Sequence, residues 1–459
     1  MTTRLSIVFL AACTSFVAIA AATGDGPAPT RRPAGDDFEG LPVSGAPQAA
    51  YAADATHALN RLHARLFLAE LVPDEVGAAL PSERRAQKLD GAAFYVGKWP
   101  IPHRDGKPED RRWFGGDVRV SPIVALDATA EAEILELAAR FDTVEEVRAT
   151  PELASPLARL MFQWDVLQVW WRLERKSIGS DAVRAALARV VRATAQPKSV
   201  LTSLPSGLDE LRAQFTPPAN AKVGGSMLDR RAPFLDTELL AATGDVVGPW
   251  VEVQRRSTAL FDAQNSLRAV RAFLRAGTRD ETKGVLTAVA NAKTDAELPK
   301  LPRGTEVALV LTLVGLDEEL RPVATPVIDE LRLRALAGEE VLSADNDTSS
   351  HDGWNQWLYL RTRRGTLVAP AEGAFRFVPD TAQSLFLEYG SAKHTTYAAQ
   401  CALCHRATNG GGQAPSGVRM LSRHAQPVAV DDARTRLDQA EREFAPVVES
   451  LRRRLDAGH

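Results

Sequence analysis

The chain has 459 residues, 45% of them hydrophobic and 25% charged, so it is long enough for more than one core and most of it should fold. Its 55 Lys and Arg against 58 Asp and Glu leave a formal net charge of −3, spread along the sequence, which argues against nucleic acid as a partner. Beyond the N-terminus no apolar run reaches the roughly 18 residues that a membrane helix needs, so no internal transmembrane span is expected.

Residues 1–22 read as an export signal. Arg4 is followed by apolar character from Leu5 to Ala22, ending in the small-residue patterns Ala18-Ile19-Ala20 and Ala20-Ala21-Ala22. Leu10-Ala11-Ala12-Cys13 also resembles the lipobox of bacterial lipoproteins. Cys13 therefore either carries a lipid anchor or leaves with the signal. Residues 23–50, rich in Pro, Gly and Ala, read as a flexible leader, because such composition buries too little surface to offset its ordering entropy.

Residues 51–300 are expected to be mainly helical. Leu59, Leu62, Leu66 and Leu71 recur at helical intervals from Ala52 onward. His57 and His63 ride on this stretch six residues apart, which suits surface or boundary histidines better than a metal pair. Around residues 91–125, "AAFYVGKWP" and "DVRVSPIVAL" look like strands flanking a polar loop. Helices return at about 128–141, 155–176 and 180–195. In the second, Ser155 suits the cap, Pro156 the first turn, and Leu157, Leu160, Met161, Trp164, Leu167 and Trp171 form a stripe. Trp164, Trp170 and Trp171 are expected to supply core area rather than a cofactor cage. "GPWVEVQRRS" suggests a short strand, and 262–276 reads as helix.

Residues 301–380 are expected to be β-rich, with two runs in 306–336 separated by a charged turn and further strand signal in "QWLYLRTRRGTLV" and "AFRFVPD". The segment "DNDTSSHDGW" echoes a calcium loop only weakly, since Ser350 stands where the loop needs glycine. No phosphate loop, dinucleotide fingerprint, HExxH or nucleophile elbow is present.

The chemistry lies in "YAAQCALCHRATNGGGQAPSGVRM", residues 397–420. Cys401 and Cys404 are two residues apart and His405 follows directly. Apart from Cys13 these are the chain's only cysteines, so no disulfide framework competes for them. The motif resembles that of the c-type cytochromes, over roughly residues 380–459. The resemblance implies one covalent haem c, held through Cys401 and Cys404, with His405 as proximal iron ligand. Two other readings of the same residues are half of a zinc site, completed by His394 or His424, and a dithiol redox pair without its usual βαβ context.

For the distal position Met420 is the first candidate, at the end of a Gly/Pro/Ser loop, and His424 the second. His394 and an open sixth site complete the set. Downstream, Ala433, Leu437, Ala440, Phe444, Val447, Leu451 and Leu455 form one apolar helix face, which Pro446 should kink or split.

The fold class that follows is α+β and multidomain: a mainly helical front, a β-rich middle and a small helical cytochrome c-like domain at 381–459. The expected function is electron transfer to or from a redox partner protein outside the cytoplasm, in the periplasm or cell envelope. A peroxidase-like enzyme with an open sixth position is the alternative, and a partner-binding scaffold with an appended haem domain is another.

Overall fold

The computed structural model describes residues 46–71, 112–115, 126–213, 222–223, 226–227, 249–255, 259–260, 267–293, 297, 299, 301–302, 304–336, 354–378, 425–426 and 441–457. They form an α+β structure, with helices packed against an antiparallel sheet.

The helices are α1 (Ala58–Phe67), α2 (Ala128–Ala138), α3 (Val144–Ala149), α4 (Pro156–Lys176), α5 (Asp181–Ala193), α6 (Lys198–Thr202), α7 (Leu208–Ala213), α8 (Arg279–Asn291) and α9 (Ala445–Asp456). Their starts follow from local chemistry. Asp127 Oδ1 accepts the Ala130 N–H at 2.7 Å, and Ser180 caps α5 through Val183. Thr143 with Glu146, and Thr278 with Glu281, close reciprocal capping boxes on α3 and α8. At α4 Pro156 takes the first turn, while the Ser155 side chain makes no cap bond.

The strands are β1 (Leu68–Leu71), β2 (Arg112–Gly115), β3 (Lys222–Val223), β4 (Ser226–Met227), β5 (Val251–Arg255), β6 (Ala259–Leu260), β7 (Arg268–Arg275), β8 (Glu306–Leu316), β9 (Pro322–Leu336), β10 (Trp354–Arg361), β11 (Phe375–Val378) and β12 (Ala425–Gln426). The main sheet runs β11-β10-β9-β8-β7-β5-β12, with β6 also on β7. The two runs expected in 306–336 are β8 and β9, which pair antiparallel as a hairpin. Buried Asp317 organises its turn, accepting the N–H groups of Glu319 at 3.1 Å and Arg321 at 2.8 Å.

One core joins helices and sheet. α4 is its axis, buried on nearly all sides from Leu160 to Trp170, and it packs on α5 and β8. The approach to β8 is close enough that a Cβ on Gly315 would stand 2.7 Å from Leu160 Cδ1, so any side chain there would have to displace Leu160. The sequence stripe on α4 underestimates this burial. A helix inserted between α5 and a sheet has no solvent face to mark it.

Four expectations change. Residues 268–275 are the strand β7 between β5 and β8, not part of a helix over 262–276. The sheet therefore draws on residues on both sides of 300, where the helical region was expected to give way to the β-rich one. Leu71 belongs to β1, so the first helix stops at Phe67. At the end of the expected leader, Ala49 and Ala50 are buried, and packed structure begins within it.

The final helix is broken as Pro446 predicts: a turn at 441–443 ends at Phe444, and α9 restarts at Ala445. Phe444, Val447, Leu451 and Leu455 join the same core as α4 and α5. Arg454 fixes the helix to Glu174 at 3.2 and 3.0 Å and to Asp181 at 2.8 Å.

Candidate functional site

Cys401, Cys404, His405, Met420, His424 and His394 lie outside the described residues, as do Cys13 and the weak calcium-like segment up to Gly353. What the structure does place is the chain on either side of the motif. Upstream, Val378 ends β11 at one end of the sheet order. Downstream, β12 lies at the opposite end, with Ala425 paired to Arg255 and Gln426 to Gln254. In sequence His424 immediately precedes Ala425, and Met420 stands five positions before it. Residues 379–424 thus link two strands at opposite ends of one sheet, and α9 then returns to the helical core.

Within the described residues the densest chemistry is a buried charge cluster between α4 and the sheet. Arg268 on β7 donates from Nε to Asp329 Oδ2 at 2.8 Å and from Nη1 to Glu330 Oε2 at 2.8 Å. Asp329 and Glu330 are neighbours in sequence and would ordinarily point to opposite faces of β9. The β8–β9 register resolves this: Leu311 pairs with Glu330 and Thr312 with Ile328, so Asp329 is the extra residue of a bulge. The bulge turns both carboxylates toward one guanidinium.

Arg363 completes the cluster. It donates from Nη2 to Asp165 Oδ1 at 2.6 Å, from Nε to Asp165 Oδ2 at 3.1 Å, and from Nη1 to Asp329 Oδ1 at 3.2 Å. Burial works against its charge, but Asp165 and then Asp329 outweigh it and hold the guanidinium well above the ordinary arginine value. Both Arg268 and Arg363 lie over the Trp164 ring, 4.8 and 5.4 Å from its centre, and Trp164 Nε1 donates to Leu267 O at 2.8 Å. On the far side Asp165 Oδ2 accepts the Tyr51 phenol at 2.5 Å, and His63 Nε2 stands 3.7 Å away. Nearby, burial pushes Arg361 down to about 10 despite the pull of Asp329 and Glu210, and burial pushes the Tyr359 phenol up.

Side chains of this cluster are 1% exposed at Arg268, 4% at Arg363, 1% at Asp165, 2% at Asp329 and 0% at Glu330. A substrate cannot reach groups so enclosed. The cluster's work is to neutralise charge at the seam and fix α4, β7, β9 and the turn after β10 in one register. Among the described residues no group of His, Cys, Asp and Glu side chains is placed to hold a metal ion, and no helix is long and apolar enough to cross a membrane.

The histidines divide. His57 Nδ1 caps α1, accepting the Leu59 N–H at 3.3 Å, as a boundary residue can. His63, expected at the surface or boundary, is buried at 4%, its ring 4.9 Å from that of Phe67. The missed signal is spacing: His63 is four residues from Leu59 and from Phe67, on the face that packs inward. The tryptophans behave as core residues, Trp164 and Trp170 fully buried and Trp171 packed against the same cluster. No family model, curated protein or solved structure matches this chain.

Proposed function

We propose that this is an exported, single-haem c-type cytochrome that passes electrons to or from a protein partner in the periplasm or cell envelope. The observation that carries the proposal is Cys401-Ala402-Leu403-Cys404-His405 in a chain whose only other cysteine is Cys13. The donor set fits a c-type haem. Two thiols at this separation suit thioether links to the two vinyl groups, and the adjoining imidazole suits the proximal iron position. Cys401 and Cys404 would anchor the group, His405 would ligate the iron, and Met420, with His424 as alternative, would take the distal side.

A haem held there supplies one-electron chemistry, and the protein's part is to set its potential. A Met420 thioether would raise the potential relative to a His424 imidazole, and enclosure from water would tune it further. One motif means one covalent haem, which favours a carrier that meets a partner at its surface over an internally wired multihaem enzyme. The export reading of residues 1–22 supports an extracytoplasmic site of action, with Cys13 as a lipid anchor in the lipoprotein variant of that reading.

Intact-mass measurement on protein produced together with a cytochrome c maturation system tests the proposal. The expected mass is the processed chain plus one haem, reverting to the bare chain when Cys401 and Cys404 are both replaced by Ser. A bare mass from the unmutated chain refutes it.

A further inference from the structure

Alternate residues of β7 face opposite sides of the sheet. Arg268 lies over Trp164 of α4, and Ala272 and Leu274 pack with Leu286 of α8, so both helices occupy one face. Phe273 belongs to the other. The strand register carries that second face across the sheet. Phe273 pairs with Ala308 and Ala308 with Leu333, while Val310 pairs with Leu331 and Leu331 with Tyr359. All six are at most 3% exposed, although α4 and α8 lie on the far side.

The same register fixes where residues 379–424 leave the sheet and rejoin it. Val378 pairs with Leu358, Leu358 with Arg332, Arg332 with Leu309, Leu309 with Ala272 and Ala272 with Val253. Two residues along β5 from Val253, Arg255 pairs with Ala425. The chain therefore departs and returns at nearly one level, six strand spacings apart, roughly 29 Å at about 4.8 Å each. Tyr359, Leu331 and Val310 flank this line on one side, and Leu333, Ala308 and Phe273 on the other. On the first face α8 stands at the returning end, against β5, β7 and β12.

We propose that the face of Phe273, Val310, Leu331 and Tyr359 is the docking floor for residues 379–424, the segment that carries Cys401, Cys404 and His405. A straight crossing takes about nine extended residues of the 46, which leaves ample chain for the motif and the loop after it. The segment opens with Leu385, Phe386 and Leu387, apolar side chains suited to an apolar floor. A further consequence rests on the haem reading: apolar side chains beneath a group held at Cys401 and Cys404 keep water from one side of it, and such enclosure tunes a haem's potential.

The test places p-benzoylphenylalanine in the full chain at the position of Phe273. β3 meets the sheet at β10, so the probe sits on β7. Irradiation and peptide mass mapping should find cross-links to residues 379–424. Cross-links only to other segments, cross-links to a second chain, or none at all overturn the proposal. Should that variant fail to fold, photo-leucine incorporated in place of leucine reads the same floor from Leu331 and Leu333, with the same outcomes deciding. Cross-linking follows the path of the chain and haem staining follows the thioether bonds, so failure of the floor and failure of the haem reading are told apart.

Discussion

Replacing Arg363 by Met removes the guanidinium that joins α4 to the sheet. Arg363 is 4% exposed and holds Asp165 through bonds of 2.6 and 3.1 Å, with a third of 3.2 Å to Asp329. After the change Asp329 retains Arg268, while Asp165 loses its two guanidinium bonds and keeps the Tyr51 phenol, with His63 3.7 Å away. Stranding a buried carboxylate in this way costs about 3–5 kcal/mol. For an ordered body of this size that lowers the thermal midpoint by roughly 10 °C.

Adding Asp165→Asn should recover much of the loss, since the stranded charge then leaves while the amide oxygen still accepts from Tyr51. Urea unfolding followed by tryptophan fluorescence reads both steps, because Trp164 lies under Arg363 and Arg268. If Arg363→Met costs less than about 1 kcal/mol, or the double variant loses the sum of both singles, the cluster is not a coupled ionic seam.

Four further outcomes are expected. In Glu133, burial favours protonation but hydrogen bonds and charge from Arg61 and Arg65 win, holding it below the ordinary 4.5. Its contribution is thus present above pH 4.5 and lost as pH falls through the lower folded value, so the stability gap between wild type and Glu133→Gln, under about 1 kcal/mol, should close in acid. Gln168 is 0% exposed and neither its amide oxygen nor its nitrogen makes a hydrogen bond, so Gln168→Met should stabilise by about 1–2 kcal/mol in urea titrations. Leu451→Ala, at a fully buried position of α9, should cost about 2–5 kcal/mol and shift the transition reported by Trp164 and Trp170 in the shared core. Met420→Ala should keep the haem attached and change the oxidised absorption spectrum; an unchanged spectrum removes Met420 as ligand.

Where local signals and packing agreed, the fold was legible in the chain. The helices at 128–138, 156–176 and 181–193 carry caps, a proline and apolar spacing that act within a few residues. The β8–β9 hairpin carries two apolar, β-branched runs around a charged turn. β7 was missed because Leu267, Val270 and Leu274, with Arg268, Arg271 and Arg275 between them, mimic a helical period. What makes these residues a strand is distant: Glu252 and Glu306 on the adjacent strands and Glu330 on β9 pair with the three arginines. The same distance hid the buried cluster. Nothing local to Asp165 announces Arg363, 198 residues away in sequence, nor does the Asp329-Glu330 pair announce its bulge. The haem proposal is of the opposite kind: it rests on five consecutive residues, Cys401 to His405, whose fit to the group depends on spacing alone.

A pyridine haemochrome spectrum on purified, denatured protein matured in an exporting host tests the central claim most directly. The account predicts a c-type spectrum with one haem per chain that survives acid–acetone extraction and disappears in the Cys401→Ser, Cys404→Ser variant. Haem that extracts freely, or its absence with zinc bound in its place, would contradict it.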